Sequence, residues 1–113
     1  MKEVNLIEKY IRASICYGVA QEEGDSKKVN KQAGVIRKIR VELKKNLDSY
    51  VEMLEPLLEH ENGYVRLKTA FSLLPFLSQK SEAVLLELSK KEGLLGFEAD
   101  MTLKEWKKGN LIF

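Results

Sequence analysis

Apolar residues recur along this chain at intervals of three and four, and clean apolar–polar alternation is rare. That spacing follows the turn of an α-helix and predicts an all-α protein. From about Glu3 to Glu23, Val4, Ile7, Ile11, Ile15 and Gly18 form one stripe. Leu6, Tyr10, Ala13, Tyr17 and Ala20 broaden it into a core-facing surface. Gly24 is the expected stop, and Asp25 the expected N-cap of a second helix from about Ser26 to Lys45. Its apolar positions are Val29, Ala33, Ile36, Ile39 and Leu43. Either Asp48 or Ser49 can cap a third helix, and Ser49 with Glu52 has capping-box spacing. That helix carries Val51, Leu54, Leu57 and Leu58, and Pro56 inside it predicts a bend or a late start. Asn62-Gly63 reads as a tight turn into a fourth helix, from near Tyr64 until Pro75 breaks it. Ser81 is the expected cap of a fifth helix, which Gly93 ends, and a sixth runs from about Phe97 to Lys108.

Six helices with short links make three antiparallel pairs. Shifting the chain by 33 residues lays Tyr64 on Phe97 and Thr69 on Thr102, the period of a helix-pair solenoid. A compact six-helix bundle would share much of that pattern. At 113 residues, 44% hydrophobic and 32% charged, the chain has the composition of one ordered globular domain spanning 1–113. The longest stretch without a charged residue, Thr69 to Gln79, is about half of what a membrane span needs, so no membrane association is expected. The lone Cys16 excludes an internal disulfide and fits a reducing, cytoplasmic location, and the charged start gives no reason to expect a signal peptide.

The segment Pro56-Leu-Leu-Glu-His-Glu-Asn-Gly-Tyr-Val-Arg-Leu-Lys-Thr-Ala-Phe-Ser-Leu-Leu74 resembles one HEAT repeat, in which a Leu-Leu pair closes the first helix and Val-Arg opens the second. Val65, Arg66 and Ala70 carry that signature: Val65 packs inward, Ala70 admits a neighbouring helix, and Arg66 reaches carboxylates or carbonyls of the turn. With Gly93-Leu-Leu-Gly-Phe-Glu-Ala-Asp-Met-Thr-Leu-Lys-Glu-Trp-Lys-Lys-Gly109, the chain resembles a small bacterial HEAT-like family known as domain of unknown function number 2019. The likeness is clearest from Leu47 to Gly109, and Pro75 departs from it. It implies a short α-α superhelix and no known reaction.

Little in the sequence suggests catalysis. His60 is the sole histidine, and its neighbours Glu59 and Glu61 point away from it on a helix, so no metal site is expected. Cys16 beside Ile15 and Tyr17 reads as a packed or half-buried thiol with no activating partner. Gly93-Leu-Leu-Gly96 lacks the Lys-Ser/Thr and the strand of a phosphate loop and reads as a turn. Trp106 is expected in the core. The apolar tail Leu111-Ile112-Phe113 reads as either a lid over the last helix or an exposed sticky end. No cofactor and no enzymatic activity are expected.

Charge changes the picture. The net charge is only +2, yet Ser26 to Asn46 holds eight basic residues and one acid, Glu42. From Asp48 to Glu61 there are five acids and no Lys or Arg. One reading pairs these helices across a solvated seam, each pair contributing about 0–1 kcal/mol. Another presents the basic helix to an acidic protein partner. A third uses it to contact nucleic acid, as some HEAT-like proteins do with a basic concave face. In HEAT-like stacks the second helix of each pair lines the concave side, which selects Lys27, Lys31, Arg37, Lys38 and Lys44 as partner-binding candidates. The expected function is a non-catalytic protein-binding module, with nucleic-acid binding as the alternative. By analogy alone, one specific form is an immunity-type protein that neutralises a toxin.

Overall fold

The computed structural model describes residues 2–113, with side chains from Val4 onward. Six α-helices follow one another: α1 (Lys2–Glu23), α2 (Ser26–Leu43), α3 (Leu47–Leu54), α4 (Gly63–Leu73), α5 (Ser78–Ser89) and α6 (Leu94–Lys108). A 3-10 turn, Glu55–Glu59, extends α3. Pro56 sits at the start of that turn, where its missing N–H costs no helical hydrogen bond. The helices pair as α1–α2, α3 with its 3-10 turn against α4, and α5–α6, an all-α arrangement of helical hairpins.

The ends of the helices follow local chemistry. Gly24 takes a left-handed φ of 72° and stops α1, and the Asp25 carboxylate accepts the Lys28 N–H at 3.1 Å to start α2. Asn62 Oδ1 accepts from Tyr64 and Val65 at 2.9 and 3.1 Å, which starts α4. Three expectations need correction. Asn46 caps α3, accepting the Ser49 N–H at 3.3 Å, because its extended backbone aims the amide at the first turn. Neither Asp48 nor Ser49 serves. Ser81 is buried inside α5, which begins three residues earlier; its N–H donates to the Leu77 carbonyl in the helix ladder. Gly93 stands at the start of α6 and not at the end of α5.

The core centres on α4, which buries Tyr64, Val65, Leu67, Thr69, Ala70, Ser72 and Leu73. It packs against α1, the 3-10 turn, α5 and α6. The buried face of α1 is Tyr10, Ala13, Ser14, Tyr17 and Ala20. The stripe of Ile7, Ile11 and Ile15 is only half-buried, and Val4 is exposed. Cys16 points outward from that helix, so the expected packed thiol is an exposed one. It lies on the flank of the buried face, one turn from both Ala13 and Ala20 but turned past the edge of the core.

Tyr10, Tyr50 and Ser72 lock α1 and α3 to α4. The Ser72 hydroxyl donates to the Lys68 carbonyl at 2.9 Å, so the Tyr10 hydroxyl donates to Ser72 Oγ, also at 2.9 Å. Tyr50 donates to the Ser72 carbonyl at 3.1 Å. The signature residues have plain structural roles. Val65 and Ala70 are fully buried, and Arg66 donates to the carbonyls of His60 and Glu61 at 2.7 and 3.2 Å. His60 itself accepts the Asn62 N–H on Nδ1 at 3.0 Å, which rigidifies the same turn.

Candidate basic groove

Between α2 and α6, with α4 as its floor, lies a groove of about 510 Å³. One face of α2 supplies Arg37, Arg40 and Lys44, spaced so that all three project the same way. Lys68 and Phe71 rise from α4, and α6 contributes Glu98 and Thr102. Ile112 and Phe113 close one side.

Among the described residues, four cations and the Glu98 carboxylate thus face the same space, and that carboxylate is already committed. Glu98 accepts from the Tyr17 hydroxyl at 2.8 Å and from Gln21 Nε2 at 3.1 Å, and it pairs with Lys68 Nζ at 3.5 Å. The Lys68 ammonium also sits 3.6 Å from the centroid of the Tyr17 ring. By contrast, Arg37, Arg40 and Lys44 take part in none of the ion pairs among the described residues. Arg40 lies over the Phe71 ring at 4.8 Å, and Lys44 approaches the Tyr50 ring at 5.8 Å. Burial lowers the Lys44 ammonium below its ordinary pKa, and the neighbouring Arg40 guanidinium pushes the same way. Burial likewise lowers Lys68; Glu98 opposes that shift and Arg40 adds to it. Both lysines are thus held in a partly dry space, with the Arg40 guanidinium as a common like-charged neighbour.

The five candidates chosen from the sequence divide between two faces of α2. Arg37 and Lys44 line the groove, whereas Lys27, Lys31 and Lys38 are exposed on a face roughly a third of a turn away. Arg40 and Lys68 complete the groove and were not among them. Arg40 was legible at one turn from both Arg37 and Lys44. Lys68 gives only a faint signal, a single lysine within the largely apolar helix that follows Arg66. The expected seam between α2 and the acids of α3 does not form among the described residues. Glu55 instead pairs with Lys80 of α5, and Lys45, in the turn after α2, pairs with Glu42 of α2 at 2.9 Å. α2 meets α3 only at their shared end.

The tail acts as a lid. Leu111 packs onto the core, and the Phe113 ring stacks on Phe71 at 4.8 Å and stands edge-on to Trp106 at 6.0 Å. Trp106 is half-buried, and its indole N–H donates to Glu82 at 3.1 Å. Elsewhere, no three His, Cys, Asp or Glu side chains gather to hold a metal ion among the described residues. No described helix is long and apolar enough to cross a membrane. Comparisons of the chain with protein-family models, curated proteins and solved structures return no match.

Proposed function

We propose that the protein is a non-catalytic binding module of HEAT-like type whose groove takes an acidic segment of another protein. One observation carries this reading: among the described residues Arg37, Arg40 and Lys44 face the groove without an ion-pair partner, while the Glu98 carboxylate beside them is spent on Tyr17, Gln21 and Lys68. Crowded cations in a partly dehydrated space are relieved by an incoming anion. The apolar lining of Val41, Leu67 and Phe71 suits amino-acid side chains between the carboxylates. The nucleic-acid alternative is weaker here, because no aromatic residue interleaves the basic residues of α2 and the chain's pI is only about 8.6.

The test is binding of a fluorescent oligoglutamate peptide at low and moderate salt. Arg37→Glu with Arg40→Glu should weaken it by at least tenfold, and Lys31→Glu with Lys38→Glu by far less. Equal losses from the two pairs would reduce the effect to net charge and remove the groove from the reading.

A further inference from the structure

The residues after α6 seat an aromatic side chain inside the groove. Asn110 closes the helix by donating its N–H to the Glu105 carbonyl at 2.9 Å. Beyond it, Leu111 packs on the core, Ile112 is 89% exposed, and Phe113 lies on Phe71 with 38% of its own surface exposed. Side-chain contacts hold Leu111 and Phe113 in place, Leu111 on the core and Phe113 on the Phe71 and Trp106 rings. Its neighbours there are Phe71 and Trp106, and the Arg40 guanidinium lies over the same Phe71 ring. This seat adjoins the cations of α2.

We infer that Phe113 is a built-in placeholder for a large apolar side chain of the partner, so that the groove selects acidic segments carrying an aromatic or large aliphatic anchor. This rests on the acidic-partner reading above and adds the anchor to it. Charge alone would draw in any acidic chain; an apolar anchor that displaces Phe113 would distinguish one acidic segment from another, since desolvated aromatic contacts carry much of the discrimination at interfaces.

Trp106 is the only tryptophan, and it touches Phe113, so its fluorescence reports the displacement. The probes are a short oligoglutamate peptide, the same peptide with one central phenylalanine, and oligothymidylate. The phenylalanine peptide should bind about tenfold tighter than the plain one and alone change the Trp106 emission. Phe113→Ala should change the emission without any peptide and tighten the phenylalanine peptide several-fold. If both peptides bind equally, lose affinity in Arg40→Glu and ignore Phe113→Ala, the placeholder falls while the acidic-partner reading stands. Weaker binding in Phe113→Ala would make Phe113 a wall of the site and also overturn the placeholder. If neither peptide binds at low salt, or only oligothymidylate does, both ideas fail.

Discussion

The Lys68 ammonium rests 3.6 Å from the centroid of the Tyr17 ring, which fastens the floor of the groove to the helix beneath it. Tyr17 contributes two things at once, a π face for Lys68 and a hydroxyl for Glu98. Tyr17→Phe keeps the ring and deletes the donor, and should cost about 1–2 kcal/mol in urea unfolding. Tyr17→Leu should cost more, since it also removes the cation–π contact. Equal losses would mean that the ring contributes nothing beyond its bulk.

A second polar lock lies deeper. Tyr10 and Ser72 are both fully buried, and their bond joins α1 to α4. Tyr10→Phe leaves Ser72 Oγ short of one donor and should destabilise by about 1 kcal/mol. Thermal unfolding of Tyr10→Phe, Ser72→Ala and the double variant would show a coupling that two independent sites lack.

Two glycines should respond in opposite directions. Gly34 lies inside α2 with open space around the position a Cβ would take, so Gly34→Ala should stabilise by about 0.5–1 kcal/mol. At Gly96 a Cβ would be driven into the Lys91 carbonyl where α6 starts against the end of α5. Gly96→Ala should cost about 1–3 kcal/mol. Chemical denaturation of the pair checks both signs.

Alkaline behaviour follows from the tyrosines. Tyr10, Tyr17, Tyr50 and Tyr64 are all of the tyrosines in the chain, and each is raised above its ordinary pKa chiefly by burial. A raised acid pKa means that the folded state keeps protons the unfolded state has lost. Their contribution is therefore intact below the ordinary value of 10.0 and is lost as pH rises above it. Lys44 and Lys68, being lowered, act oppositely: their charging penalty fades as pH approaches their ordinary value of 10.5. Stability should thus hold up to about pH 10 and then fall steeply, with tyrosinate absorbance appearing together with loss of helical circular dichroism. Gradual ionisation of a chain that stays helical would contradict the burial of these rings.

Much of the fold was legible because helical period and capping chemistry are local. Asp25 and Gly24 mark one boundary as the sequence suggests, and Val65 and Ala70 lie on the buried side of their helix. What failed depended on neighbours far along the chain. Ser81 looks like a cap until Leu77 turns out to open α5 before it. Cys16 looks packed until the arrangement leaves its flank of α1 uncovered. The basic count of α2 said nothing of which cations share a face, and so Arg40 was passed over for Lys31 and Lys38. Lys68 acquires its role only when α1 and α6 bring Tyr17 and Glu98 to it.

The way the helices lean on one another makes the two sides of the groove mechanically unequal. α4 is gripped by α1, the 3-10 turn, α5 and α6, and α6 is braced by α5. α2 rests chiefly on α1 alone. Its basic side is a leaf on a single spine, facing a clamped bed. An occupant of the proposed kind would therefore meet charge on the singly braced side and its anchor seat on the side that four elements hold.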